Sequence, residues 1–152
     1  MSNINTVYSQ LKTVVGNLFP NKKLLTHPES LKDNSALFLK DGWGIIVGPS
    51  APFPSQETCR TMDVIELSIV LTKETFNSNA DVSKAFDCNN SMLQDLSDLR
   101  VRLLDSDKLG IPNSLAMVQF SSASGIEFVS SDKYNFRSIT ANFSFLVIEQ
   151  LG

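Results

Sequence analysis

Two stretches of this chain alternate between apolar and polar residues, and they restrict the fold more than any other feature. In Ile65–Thr72, every second residue from 65 to 71 is isoleucine or leucine, and in Phe136–Glu149, every second residue from 139 to 147 is apolar. Successive side chains of a strand point to opposite faces, so this pattern predicts half-buried strands of an antiparallel sheet. Such a sheet needs a second layer to cover its apolar face.

Two amphipathic helices are predicted to supply that layer. Apolar residues recur at three- and four-residue steps over residues 3–18 and again over residues 81–106, which places them on one face of a helix. Pro20 is expected to end the first helix, and Gly110 follows the second where a helix commonly ends.

The remaining strands are predicted from turn signals. An Asp-Gly pair between two apolar runs indicates a hairpin, so we predict strands at Ala36–Lys40 and Trp43–Val47 with a turn at Asp41-Gly42. Residues 48–61 contain three prolines, which forbid a central strand and favour an extended loop. A strand region follows the second helix at Ala116–Val129.

These elements predict an α+β fold in the order α-β-β-β-α-β-β. We expect a mainly antiparallel sheet of four to five strands with two helices packed on one face. A chain of 152 residues suits one domain, which we take to span residues 1–152.

Charge and hydropathy argue against two kinds of partner. Thirteen basic and sixteen acidic residues give a net charge of −3, so counterion release from nucleic acid is a poor source of affinity and no sequence-specific nucleic acid is expected. The apolar runs are far shorter than the roughly 18 residues that span a bilayer, and no targeting segment is seen. We therefore expect folding in a cytoplasm and no membrane contact.

Residues suited to catalysis or metal binding are scarce. His27 is the only histidine, and Cys59 and Cys88 are the only cysteines, which we expect to be reduced and separate. His27-x-Glu29 lacks the second half of the zinc-deaminase motif. The segment 105–110 resembles the start of a calcium loop, but Leu109 stands where an oxygen ligand belongs. We predict no catalytic residue, no metal and no cofactor.

Exposed apolar residues point instead to partner contacts. An apolar hairpin and a proline-rich loop at residues 36–58 favour a protein surface, although Trp43 packing in the core remains an alternative. The second helix carries apolar residues beside its main seam, which widens its apolar face. Leu146 and Ile148 lie on the otherwise polar face of the last strand, which suggests that something covers its end. The predicted interface residues are Trp43, Phe53, Phe86, Leu93, Asp132, Lys133 and Tyr134.

The element order, the long middle strand Ile65–Thr72 and the closing segment Arg137–Val147 resemble the tail-terminator and neck proteins of tailed bacteriophages. The resemblance covers most of the chain and carries no residue-specific motif. It implies a virion protein of the tail or neck, assembled in the host cytoplasm. Its copies would form a homo-hexameric ring that stops growth of the tail tube and joins the tube to the head connector.

A closed ring requires two different complementary surfaces on each subunit. We expect one at the sheet edge and apolar hairpin, and the other on the long helix or the loop at residues 132–135. Two alternatives remain: a small α+β enzyme or ligand-binding domain with a pocket near Trp43, Cys59 or His27, and a dimeric cytoplasmic adaptor or secretion-type chaperone.

Overall fold

A computed structural model describes residues 3–53, 60–75, 82–130 and 135–150, which form a mixed six-stranded sheet and three α-helices. The strand order is β1-β2-β3-β6-β4, and β5 also pairs with β6. The elements are α1 (Asn3–Leu18), β1 (Lys23–Leu24), α2 (Ala36–Lys40), β2 (Asp41–Phe53), β3 (Arg60–Thr75), α3 (Val82–Leu103), β4 (Leu115–Ala123), β5 (Glu127–Ser130) and β6 (Asn135–Gln150).

The two alternating stretches form the centre of the sheet. β3 and β6 pair antiparallel without interruption from Arg60↔Gln150 to Thr75↔Asn135. The residues predicted to face the core are buried on both strands, and Leu67 and Phe143 are fully inaccessible. The predicted α+β class and the two long strands are confirmed. The sheet has one strand more than the four to five expected.

Both long helices pack on the same face of this sheet, as predicted. Val7, Leu11 and Val15 of α1 join Met92 and Leu99 of α3 in a single core with the inward residues of β3 and β6. The helical spacing of these residues allows each helix to cover the sheet with one face, and burial of that apolar area stabilises the fold.

The predicted strand at residues 36–40 is wrong, because this segment forms α2. Ser35 caps the helix, its hydroxyl accepting the Leu37 amide at 3.3 Å. The segment Ala36–Lys40 contains no β-branched residue and is rich in good helix formers. Leu39 is fully buried against Val70 and Phe136, on the sheet face opposite α1 and α3. Tertiary burial of one leucine therefore supports a helix of five residues.

The predicted turn at Asp41-Gly42 is also wrong, because both residues begin β2 and no hairpin joins residues 36–40 to 43–47. A Cβ atom on Gly42 would lie 2.2 Å from the Phe38 carbonyl oxygen and 2.8 Å from Thr72 Oγ1. Glycine is therefore required where the end of α2 crosses the sheet closely, and not for a turn.

The proline-rich stretch is in part a strand. β2 continues through Pro49 and Pro52 to Phe53, with its register shifted between Val47 and Ser50. β1 pairs only with the start of β2, so both prolines lie where β2 is an edge strand, and they remove no hydrogen bond from the interior of the sheet. Residues 54–59 lie outside the described part of the chain.

The strand region after α3 consists of two strands, β4 and β5, separated at residues 124–126. Both pair with β6, β4 along its second half and β5 along its first. The polar run at 121–125 thus marks the end of one strand and a break before the next.

Candidate functional site

The outer side of α3 carries a row of exposed apolar side chains, which we call the α3 stripe. It consists of Phe86, Leu93, Val101 and Leu104, the last of which directly follows the helix. Their exposed fractions are 64%, 50%, 72% and 42%, respectively. At 3.6 residues per turn these positions fall on one side of the helix, opposite the residues that α3 buries in the core. α3 is therefore apolar on two sides, only one of which the described chain covers.

The C-terminal half of the α3 stripe is shaped as well as apolar. A shallow depression of about 310 Å³ is lined by Ser97, Arg100, Val101 and Leu104. The Arg100 guanidinium lies 4.2 Å from the centre of the Phe120 ring of β4, a cation–π contact that holds it beside the stripe. This end of the stripe offers an apolar side chain a recess next to a fixed positive charge.

A second apolar surface lies on the other face of the sheet. Phe53 and Met117 are each 45% exposed, and Val64 and Leu146 pair across the central strands beneath them. These four residues, which we call the outer sheet patch, line a depression of about 140 Å³. Because Val64 alternates with the core-facing Ile65, the patch faces away from the helix layer.

Neutral polar side chains border the outer sheet patch. Ser68 donates to Asn142 Oδ1 at 2.6 Å, and Asn142 Nδ2 donates to Ser122 at 3.1 Å. Ser144 lies 3.3 Å from Ser121, oxygen to oxygen. These ladders satisfy the polar groups among themselves, so the patch has a distinct polar boundary on this side.

The structure places the predicted interface residues in different surroundings. Phe86 and Leu93 lie on the α3 stripe, and Phe53 lies on the outer sheet patch. Trp43 is 4% exposed and packs in the core, so its predicted exposure is wrong and the alternative of a core residue is correct. The remaining three predicted residues, Asp132, Lys133 and Tyr134, lie outside the described part of the chain.

Apart from Leu146, the other members of the two surfaces were not singled out from the sequence. Val101 follows the same helical spacing as Leu93, so the stripe could have been extended from periodicity alone. Met117 joins Phe53 only through the order of strands in the sheet, which no local pattern contains. Leu146 and Ile148 differ: Leu146 is half-buried in the patch, whereas Ile148 is buried.

The residues suited to catalysis or metal binding do not come together in the described part of the chain. The His27 ring is half exposed in a loop, and its Nδ1 lies 3.9 Å from Glu29 Oε1. Cys88 is buried in the core, whereas Cys59 lies outside the described ranges. Among the residues that the structure describes, no three His, Cys, Asp or Glu side chains are grouped so as to hold a metal ion. No helix in the described ranges is long and apolar enough to span a membrane.

The chain is similar in structure to solved proteins, although its sequence matches no family model. No curated protein matches the sequence either. A solved chain described as "Virion of native gene transfer agent (GTA) particle" superposes with a TM-score of 0.48 and 14% sequence identity. The superposition covers 93% of this chain and 91% of that chain.

Proposed function

We propose that this protein is a non-enzymatic structural component of a phage-like virion, and that residues 1–152 act as one domain whose copies assemble into a closed ring. The observation that carries the proposal is the presence of two different apolar surfaces on opposite sides of the subunit. A surface that pairs with itself gives a two-fold dimer, whereas two different surfaces that pair with each other give a ring or a filament.

The α3 stripe and the outer sheet patch have the properties of such a pair. Each exposes large apolar side chains in or beside a depression, the arrangement found at the centre of protein interfaces. Arg100 borders the stripe. Glu66 is exposed on β3, two residues after Val64 of the patch and on the same face of the sheet. Contact between the two surfaces brings opposite charges to its rim, which favours one orientation.

The role within the virion follows the resemblance of the long middle strand and the closing segment to tail-terminator and neck proteins. The ring has six copies, caps the tail tube, stops its growth and joins it to the head connector. One of the two proposed contact surfaces differs from the expectation from the sequence. The outer sheet patch takes the place of the predicted hairpin, which does not form in the described residues. The α3 stripe lies on the long helix, as expected.

Native mass spectrometry with negative-stain imaging tests the ring. We expect a six-copy particle with a central hole for the unmodified protein. Leu93→Lys places a charge in the stripe and is expected to give monomers, whereas Asn17→Lys adds the same charge at an exposed position of α1, outside both surfaces, and is expected to keep the ring.

Two outcomes contradict the proposal. A two-fold particle supports the dimeric adaptor instead, and a protein that stays monomeric at high concentration has no ring. The tail role has its own test: virions made without this protein are expected to have tubes of irregular length that are not joined to heads. Tubes of normal length attached to heads would exclude the terminator role while leaving the ring intact.

A further inference from the structure

A groove lies along the open edge of β2, on a surface separate from the α3 stripe and the outer sheet patch. β1 pairs with only two residues of β2, Gly42 and Trp43. The Leu25 amide donates to the Trp43 carbonyl at 2.7 Å, and among the described residues this is the last backbone hydrogen bond along the edge. Beyond it, in the described ranges, β2 has a strand neighbour only on the β3 side.

The direction of the next backbone groups follows from Trp43. The N–H and C=O of alternate strand residues point to the same side, so those of Ile45 and Val47 point outward, away from β3. Both residues lie opposite β3 in the same register as Trp43, at Ile45↔Ile69 and Val47↔Leu67. Two donors and two acceptors therefore point to this edge in the geometry that an added strand uses, and Val47, at 58%, is far more exposed than Ile45, at 8%.

Walls on both sides turn this edge into a groove. α1 contributes Tyr8 and Lys12 from the helix face of the sheet, and the loop after β1 contributes Pro28 and Glu29 from the other face. The groove is open to solvent and has a volume of about 490 Å³, within the roughly 300–1,000 Å³ of typical ligand sites. Walls on both sides of the edge favour a single extended chain over the edge of a second folded sheet, whose own layers would meet them.

Pro28 fixes the loop wall at close range. A Cβ atom on Gly44 would lie 2.6 Å from Pro28 Cβ, so the loop rests directly on the glycine. Asn34 holds the loop closed: its Oδ1 accepts the His27 amide at 2.8 Å, and its Nδ2 donates to the His27 carbonyl at 2.8 Å. The wall is therefore formed before any partner arrives, which lowers the entropic cost of binding.

The side chains of the groove define the chemistry of its occupant. Val47 is 58% exposed beside Tyr8, at 39%, on the α1 side, where an apolar side chain is favoured. Lys12 lies on the α1 side of the groove and Glu29 on the loop side. Successive side chains of an extended segment point to opposite sides, so neighbouring residues would meet opposite charges. An acidic residue facing α1, followed by a basic residue facing the loop, matches this arrangement.

We propose that this groove binds a short extended segment of another protein, which joins the sheet as a strand on the edge of β2. The segment has apolar residues on the face toward α1, flanking an acidic residue, and a basic residue adjacent in sequence. This site is independent of the proposed ring and serves to attach a further protein to the subunit.

The probe is a pair of synthetic peptides with blocked ends, Thr-Val-Thr-Glu-Lys-Val-Thr and its charge-exchanged form Thr-Val-Thr-Lys-Glu-Val-Thr. Fluorescence anisotropy of labelled peptide measures affinity for the full chain. We expect saturable binding, at least tenfold tighter for the first peptide than for the second. Exchanging the charges of the groove with Lys12→Glu and Glu29→Lys is expected to reverse the preference.

Substitutions at Val47 test strand addition itself. Val47→Pro removes one outward N–H, and proline is tolerated where that group faces away from the sheet; we expect at least tenfold weaker binding. Val47→Thr keeps the N–H and the branched shape and is expected to bind as the unmodified protein does. Amide hydrogen exchange at Val47, which is exposed in the structure, should slow when the peptide binds to the unmodified protein.

Three results overturn this proposal. They are no saturable binding of either peptide, equal binding to the Val47→Pro and Val47→Thr variants, and a lower oligomeric mass for Val47→Pro than for Val47→Thr. The last result would assign the edge of β2 to a second copy of this chain. Loss of the ring in Leu93→Lys with peptide binding retained would separate the two sites.

Discussion

At the scale of single residues, Lys22 shows how the subunit joins distant segments through one charge. Its ammonium side chain is 6% exposed and lies between Asp41, at the start of β2, and Asp95 of α3, whose Oδ2 is 3.4 Å away. It also donates to the Thr72 carbonyl at 3.4 Å and lies 5.8 Å from the centre of the Phe19 ring. A buried charge must be paired to be tolerated, and here its partners come from three elements.

Removing this charge tests its contribution. We expect Lys22→Met to lower the free energy of unfolding by about 2 kcal/mol, because charged hydrogen bonds are lost. The loss is limited because the two partly exposed aspartates regain contact with water. Urea denaturation followed by circular dichroism measures the change.

Lys23→Met provides the control for Lys22, because Lys23 is exposed and adjacent. A surface substitution of this kind is expected to change stability by less than about 0.5 kcal/mol. Equal effects of the two substitutions would show that the pairing of Lys22 contributes nothing measurable.

At the scale of elements, the crossing of α2 over the start of β2 depends on a residue without a side chain. The Phe38 carbonyl, Thr72 and the side chain of Leu25 all lie within 3 Å of the position that a Cβ atom on Gly42 would occupy. The Gly42 amide also donates to Thr72 Oγ1 at 3.0 Å, so the strand cannot move away without losing a buried hydrogen bond.

We expect Gly42→Ala to destabilise the protein by about 3 kcal/mol, since backbone atoms would have to shift. Thermal unfolding measures the effect. Gly125→Ala is the matched control, because no atom lies within 4 Å of the added Cβ, and it should unfold at nearly the same temperature as the unmodified protein. Equal unfolding temperatures for the two variants would refute the close crossing.

The same crossing shows where local patterns stop being informative. The periodicity of residues 3–18 and the alternation of β3 and β6 predicted their elements, because each pattern repeats over many residues. The predicted hairpin is wrong because an Asp-Gly pair occurs in tight turns and also, as here, where a helix end crosses a strand closely. Ser35 before Ala36–Lys40 was a usable signal for a helix, but burial of Leu39 against β3 decides the matter and is not visible locally.

The two candidate surfaces and the groove also differ in how far the sequence could predict them. Phe86 and Leu93 were identified because helical spacing separates them from the core seam within one element. The outer sheet patch combines β2, β3, β4 and β6, so its composition depends on the strand order. The groove beside β2 depends on where β1 ends, and no sequence pattern predicted this strand of two residues.

At the scale of the whole molecule, two different surfaces on one subunit make a prediction that a self-pairing surface does not. A chain with Leu93→Lys keeps its outer sheet patch, and a chain with Met117→Lys keeps its α3 stripe. Each alone is expected to be monomeric. When the two variants are mixed in equal amounts, the patch of the first can pair with the stripe of the second. The other two surfaces are disrupted, so we expect a dimer with one chain of each type that cannot close into a ring.

Native mass spectrometry with one variant isotopically labelled identifies this mixed dimer. The mixture of Asn17→Lys with the unmodified protein is the control and should give rings containing both chains. Mixed rings from the two surface-disrupted variants, or the absence of any mixed species, would be incompatible with pairing of the stripe and the patch.

The position of β6 has a consequence for how the subunit is made. β6 lies later in the chain than every other described element, yet β3, β4 and β5 all pair with it. While the ribosome has not yet released residues 135–150, β3 has only β2 beside it, and β4 and β5 have no neighbour among the described strands. These edges would be available to other nascent chains. Long-range pairing of this kind slows folding, so the chain completes the described sheet only after residues 135–150 have been synthesised.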